Sequence, residues 1–291
     1  MSGDRHPDPA RRALAAALEG RSWRSVPLAS GRTGEVLRVD ADGEALVAKL
    51  DSTGEGGLEV EGQMLRHVAA RSDAPVPRVH HACSHALVME WCPGRTGVRE
   101  EAAESAAEGL AALHAVEGSS FGYHAPTRIG GLVQPNPEHS SWLDFFAEAR
   151  LVGPARAARD EGRLDASTAA LVESVAARIG DHANEPSAPA LVHGDLWSGN
   201  VLSEGSALTA FLDPALYHGH PEVDLAFATM FGGFPRTFFD AYRDRVGGDL
   251  LDAGFWDTRR DLWNLYPLLV HVRLFGGGYV DELRRTAARL A

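Results

Sequence analysis

Apolar positions along the chain follow two patterns. Up to about residue 90 they come in short runs broken by glycine, proline and aspartate; beyond residue 98 they recur at intervals of three and four. "ARRALAAALEG" (10–20) reads as a helix stopped by Gly20, and "WRSVPLA" (23–29) as a strand leading into the glycine-containing turn "SGRTG" (30–34). "EVLRVDADGEALVAKLD" has apolar runs on both sides of Asp42-Gly43, a favoured two-residue turn, and predicts a hairpin. In "LEVEGQMLRHVAA" (58–70) helical spacing puts Leu58, Leu65, Val68 and Ala69 on one face together with Glu61, while Glu59 points away. "PVPRVHHACSHALVMEWCPG" (75–94) gives two more strands and a Pro-Gly turn. Five strands and one helix thus form a small first lobe over residues 1–90, residues 91–97 form a linker, and residues 98–291 form a mainly helical lobe. Helical segments are expected at 99–115, 138–150, 166–182, 222–231, 235–246, 255–273 and 279–290. They are interrupted by the loop "DHANEPSAPA" (181–190) and by "ALVHGDLWSGNVL" and "ALTAFLDPALY", two short apolar strands that each end in a polar loop.

Composition narrows the function classes. The chain has 291 residues, 44% of them hydrophobic, enough for one large domain or two lobes. With a net charge of −12 and no basic block, nucleic acid and anionic membrane are poor partners. No apolar run approaches the ~20 residues that span a bilayer, the N-terminal stretch lacks a signal peptide's apolar segment, and two cysteines, Cys83 and Cys92, make no disulfide framework. A soluble cytoplasmic protein, monomeric or weakly dimeric, is expected. His80, His81, Cys83 and His85 match no zinc spacing. One count is sharper: of 28 basic residues, Lys49 is the only lysine. Arginine is a planar fork and lysine a compact point charge, so a lysine retained alone in "EALVAKL" points to a role a fork cannot fill. Glu61, a carboxylate on a core-facing stripe, needs a cation, and Lys49 lies on the strand just before it.

Chemistry concentrates in "LVHGDLWSGN" (191–200) and "FLDP" (211–214). Two adjacent strand ends would bring Asp195, Asn200 and Asp213 to one place. Asn200 and Asp213 offer the amide and carboxylate oxygens that Mg²⁺ takes, and Asp195 can accept the proton of a hydroxyl aimed at phosphorus. The aspartate–asparagine spacing matches the protein-kinase catalytic loop H-R-D-x-x-x-x-N, with a second aspartate downstream for metal. Phosphoryl transfer asks a protein mainly for positioning and charge neutralisation, and Lys49 held by Glu61 supplies charge for the phosphates.

"HGDLWSGN", "FLDPALYHGHPEVDLAFATMFGGFP", "FFDAY" and "YPLLVHVRLFGGGY" closely resemble the fructosamine kinase (ketosamine-3-kinase) family, a branch of the protein-kinase-like fold near the aminoglycoside phosphotransferases. The resemblance runs from about residue 20 to 285 and also takes in "FGYHAPTRIGGLVQPN" (121–136) and "WLDFFAEARL" (142–151). It implies an α+β, two-lobed protein-kinase-like fold, with a small antiparallel N-lobe sheet carrying one helix and a larger, mainly helical C-lobe. It implies an ATP- and Mg²⁺-dependent transferase acting on O3 of a small-molecule or protein-bound ketosamine (ribulosamine, erythrulosamine or fructosamine), whose 3-phosphate then eliminates and frees the amine, a deglycation. Asp195 would be the catalytic base, and Asn200 and Asp213 the magnesium ligands. Lys49 would hold phosphates, oriented by Glu61. The Glu90 carbonyl and Cys92 amide would meet adenine, and Ser30 and Thr33 of the first turn are further nucleotide candidates. His193 and Asp224 would brace the catalytic loop, while Trp197, His271 and Phe275 are candidates for substrate contact. Two positions depart from the family: Thr127, where the loop usually reads D-N-x-I-G, and "VHVR" (270–273), where it often reads N-H-x-N. Both departures are expected on the substrate side. The same machinery would also serve a phosphotransferase acting on another small hydroxyl compound such as an aminoglycoside, or a nucleotide-binding pseudokinase without turnover.

Overall fold

The computed structural model describes residues 8–31, 34–248 and 250–291. Helix α1 (Pro9–Ala17) starts where the Asp8 carboxylate accepts from the Ala10 amide, with proline at the first helical position. Strands β1 (Trp23–Gly31), β2 (Gly34–Ala41) and β3 (Glu44–Leu50) follow, then α2 (Leu58–Arg71), β4 (Val79–Ala82) and β5 (Ala86–Glu90). The five strands form one antiparallel sheet in the order β1-β2-β3-β5-β4. Asp42 and Gly43 both have positive φ, 52° and 83°, which matches the twist of the β2–β3 hairpin.

Strand alternation sorts the residues of this sheet onto two faces. Leu46, Ala48, Leu50, Ala86 and Val88 pack with Leu14 and Leu18 around α1, whereas Val47, Leu87 and Met89 pack with Leu58 and Leu65 of α2. The lobe therefore carries two helices, one on each face of the sheet, where one was expected. The helical spacing of residues 10–20 gave no sign that its apolar stripe docks behind the sheet. On α2 the buried stripe runs through Leu58, Gly62, Met64, Leu65 and Val68; Ala69, expected on it, is exposed.

The linker contributes β6 (Arg95–Thr96), which pairs with β10 (below). A 3₁₀ turn then leads into α3 (Ala103–His114), and the hairpin β7 (Thr127–Ile129) and β8 (Leu132–Gln134) turns on Gly130 and Gly131. Next come α4 (Trp142–Phe145), a wide π-helical stretch (Phe146–Val152), α5 (Gly153–Asp160) and α6 (Ala166–Ala177). Strands β9 (Ala190–Val192), β10 (Val201–Glu204), β11 (Ala207–Phe211) and β12 (Tyr217–Gly219) precede α7 (Glu222–Ala228), α8 (Arg236–Val246), α9 (Arg260–Phe275) and α10 (Gly278–Leu290). The expected pairing of the two apolar strands is corrected here: β9 pairs with β12, and β11 pairs with β10 in a three-stranded sheet completed by β6. It is the β9–β10 and β11–β12 loops that meet. The larger lobe is built on one core containing Trp142, Phe145, Phe146, Tyr217 and Trp263. Among the described residues no helix is long and apolar enough to cross a membrane.

Candidate active site

Alternation on β3 turns Lys49 toward α2, on the side of Val47. Gly62 lets α2 approach closely, since a Cβ there would lie 2.5 Å from that of Ala82. The preceding residue, Glu61, receives the Lys49 ammonium at 2.8 Å, as its place on the stripe predicted. Lys49 also bonds to the Asp213 carboxylate across the cleft. Burial alone would lower the lysine pKa, but the charges of Asp213 and Glu61 more than offset it and hold the ammonium above its ordinary range. Burial raises the Glu61 carboxyl, against the pull of Lys49 and aided by the charge of Asp213. Asp213 moves the other way: burial would raise it, and Lys49 holds it below the usual carboxylate range.

The β9–β10 loop places Asp195. Gly194, at φ 79°, has room only for glycine, because a Cβ would fall 2.3 Å from the Ala215 carbonyl oxygen. Burial first, then the charge of Asp213, pushes the Asp195 carboxyl up to about 7, opposed by the hydrogen bond from Asn200. Asn200 donates through Nδ2 to the Asp195 backbone oxygen and to its Oδ2, both at 2.9 Å, and the Asn200 backbone carbonyl accepts from the Leu212 amide at 2.8 Å. Asp213 has φ 52°, a left-handed conformation uncommon for a residue with a side chain, at the turn from β11 into the next loop.

The loops are bound to one another from behind. His193 Nε2 donates to the Leu212 carbonyl at 2.9 Å, and its Nδ1 accepts from the Asp195 amide at 3.2 Å, a pairing that fixes the neutral tautomer. Burial lowers its pKa, which preserves that state. The Asp224 carboxylate, at the start of α7, accepts from the His193 and Gly194 amides at 2.7 and 2.8 Å. His114, on the last turn of α3, meets Asp224 at 3.0 Å and the Tyr242 hydroxyl of α8 at 2.7 Å. What His114 holds depends on three helices that lie far apart in the chain.

Around these groups the cleft is completed by Gly56, Gly57, Met64, Arg128, Gly130, Gly131 and Pro214. Asp51 shapes the turn before α2, accepting from the Thr53 and Gly56 amides at 2.9 and 2.6 Å. At the end of β5, the Glu90 amide donates to the Arg78 carbonyl at 2.9 Å, and Cys92 is half-buried, its thiol pushed up to about 11 by burial and by Glu90. Thr33 lies outside the described residues, as does the side chain of Ser30.

Trp197, His271 and Phe275 are brought together by a residue not singled out from the sequence. Phe231 sits 6.0 Å from the Trp197 ring and 5.1 Å from His271, which in turn lies 5.6 Å from Phe275 and 4.8 Å from Tyr279. Trp197, Phe231 and Phe275 are 36%, 42% and 51% exposed, so the strip reaches solvent at the β9–β10 loop. "MFGGF" carried the signal: an aromatic followed by two glycines at the end of an apolar helix. The two departures from the family lie in different surroundings. Thr127 is buried and accepts from Gln134 and Asn136 at 2.8 Å each, tying the hairpin to the segment that follows it. Arg273 is tied to Glu161 at 2.6 Å, Val270 is buried, and only His271 of that segment reaches the aromatic strip.

The fructosamine kinase family model matches residues 22–291. A probable ketoamine kinase of Synechocystis sp. is 40% identical over 235 residues, covering 78% of this chain and 76% of that protein. The ketosamine-3-kinase of Mus musculus is 36% identical over 160 residues, 55% of this chain and 50% of that one. Among solved structures, a protein from Thermobifida fusca assigned as a fructosamine-3-kinase superposes with a TM-score of 0.85 at 33% identity, covering 95% of this chain and 99% of that one. An aminoglycoside phosphotransferase solved with ADP and hygromycin B shares the fold, with a TM-score of 0.63 at 19% identity over 95% of this chain and 98% of that one. The two-lobed α+β architecture is thus the kinase-like one, and this chain belongs to the fructosamine kinase family.

Proposed function

We propose that this kinase transfers the γ-phosphoryl group of ATP, with magnesium, to a hydroxyl, O3, of a ketosamine such as a ribulosamine, erythrulosamine or fructosamine. The observation that carries the reading is that Lys49, Glu61, Asp195 and Asp213 line one cleft, with Asn200 bonded to Asp195 from behind it. Asp195 takes the proton of the acceptor hydroxyl as its oxygen attacks phosphorus, and a carboxyl that titrates near 7 suits a base working near neutrality. The donor set fits magnesium: Asn200 spends its Nδ2 on Asp195, leaving its Oδ1 as a neutral oxygen donor, and Asp213 adds a carboxylate. Such hard oxygens, with phosphates and water, are what this cation takes. When bound it neutralises phosphate charge. Lys49 holds the α- and β-phosphates with Glu61 fixing its stem, the Glu90 carbonyl and Cys92 amide meet adenine, and Ser30 and Thr33 belong to the turn above the phosphates. In this reading residues 1–90 are the nucleotide lobe and 98–291 the catalytic and acceptor lobe.

Support for the acceptor comes from the family and from the aromatic strip. Trp197, Phe231 and Phe275 offer faces to the C–H surface of a sugar. His271 donates from Nδ1 to the Pro267 carbonyl at 2.7 Å, and burial lowers its pKa, so it turns a neutral Nε2 acceptor outward for a hydroxyl or ammonium. The test is ADP release with ATP and Mg²⁺ on ribulose-lysine, erythrulose-lysine, fructose-lysine, the unmodified sugars and two aminoglycosides. Turnover confined to the ketosamines is the expected outcome. Turnover on aminoglycosides alone would overturn the acceptor while leaving the phosphoryl-transfer chemistry standing.

A further inference from the structure

We infer that Arg128 is a second cation on the phosphoryl group in transfer. This deepens the kinase reading and rests on it. Strand β7 turns Thr127 and Ile129 into the core and Arg128 the other way, into the cleft shared with Lys49, Asp195 and Asp213. Its side chain crosses from the larger lobe to the N-terminus of α2: a Cβ on Gly57 would lie 2.1 Å from the Arg128 Cδ, so the glycine, at φ 86°, gives passage to the arginine stem. One guanidinium N–H is used, on the Gly131 carbonyl at 3.0 Å, which fixes the fork against the hairpin turn. Among the described residues no carboxylate lies within 4.0 Å of it, whereas Lys49 in the same cleft is held by both Glu61 and Asp213. In an acidic chain whose other cleft cation is already engaged by two carboxylates, a fork with four donors left over calls for an anion. In the kinase reading the anion is a phosphate, and the cleft that Arg128 shares with the proposed base, Asp195, points to the group in transfer.

In the step itself the bond between γ-phosphorus and the β-phosphate oxygen breaks and one to the acceptor oxygen forms. The acceptor proton passes to Asp195, and Arg128 stays protonated throughout, its fork meeting two of the three equatorial oxygens. Arg128→Gln should lower kcat about 10²- to 10³-fold, as expected on losing one preorganised donor to a charged transition state. It should also reduce by about tenfold the preference for the ATP analogue AMP-PNP over ADP, measured by calorimetry with Mg²⁺, while the Kd for ADP and the Tm stay at wild-type values. Arg128→Lys should recover only part of the loss, because an ammonium cannot fork, and guanidinium ion should restore turnover to Arg128→Ala. The inference is overturned if kcat stays within threefold, if ADP and AMP-PNP lose affinity equally, or if only the acceptor KM rises. The nucleotide arm does not depend on the acceptor. A wild type inert on every ketosamine would remove that acceptor reading and leave Arg128 still tested by the AMP-PNP to ADP ratio.

Discussion

Asp195, the proposed base, is held in a state that this role calls for and the fold does not. Its carboxyl titrates near 7, against an ordinary 3.8. Between about pH 4 and 7 the folded chain keeps a proton that the unfolded chain has lost, so this residue withdraws stability as pH rises through that window. Turnover follows the opposite course: kcat/KM should climb with pH and level off above about 7, as read from a pH–rate profile at limiting substrate. Asp195→Asn removes the charge that burial disfavours. It should cut phosphorylation by about 10²- to 10⁴-fold, leave ADP binding intact and raise the Tm above pH 7. A variant that keeps wild-type turnover would end the role given to this residue. For the aromatic strip, Phe231→Ala should raise the acceptor KM about three- to tenfold with the ATP KM unchanged. At this scale the sequence was most readable where a residue was singular. Lys49 stood out as one lysine among 27 arginines, and Asp195, Asn200 and Asp213 stood out by spacing. Arg128 had neither advantage, because one arginine among 27 carries no signal until the fold shows that its carboxylate partner is missing.

The elements carry the geometry by close approach. Gly62 sits where α2 presses on β4, and Gly62→Val should cost about 1–3 kcal/mol in urea unfolding by overpacking. Because Glu61 is the preceding residue, the ATP KM should rise along with the loss of stability. Behind the catalytic loop, three helices converge on Asp224 through His114 and Tyr242. Tyr242→Phe removes one buried hydrogen bond and should cost about 1 kcal/mol, with a smaller effect on kcat than His114→Ala, which leaves a lone pair of Asp224 without its partner. Most elements could be read from the sequence, since alternation and helical spacing are local. The β7–β8 hairpin could not: its strands are three residues each, and Arg128 and Gln134 interrupt the apolar pattern. The pairing of β9 with β12 escaped for a different reason. Both β11 and β12 follow the catalytic loop as short apolar runs, and only the long-range fold decides which of them lies beside β9.

At the scale of the whole molecule the site belongs to neither lobe. Lys49 and Glu61 come from the sheet lobe; Asp195, Asn200, Asp213 and Arg128 come from the other, and the Lys49–Asp213 and Arg128–Gly57 contacts join the two. A ligand lodged there stabilises both at once. Saturation with ADP and Mg²⁺ at a hundred times the Kd should add about 2.7 kcal/mol to unfolding, and EDTA should remove most of that gain; a thermal shift indifferent to nucleotide would contradict the assignment of this cleft. The two-lobe plan was visible in the change of hydrophobic period near residue 98. The second helix behind the sheet was not, because nothing local in residues 10–20 says which surface they cover.

The engaged ammonium of Lys49 has one more consequence. A carbonyl compound reacts with an unprotonated amine, and the only lysine in this chain is kept protonated and held by two carboxylates. A protein read as acting on sugar-modified amines thus offers reducing sugars no exposed lysine ε-amine of its own, and the cation proposed to hold its phosphates resists the damage whose products it would process.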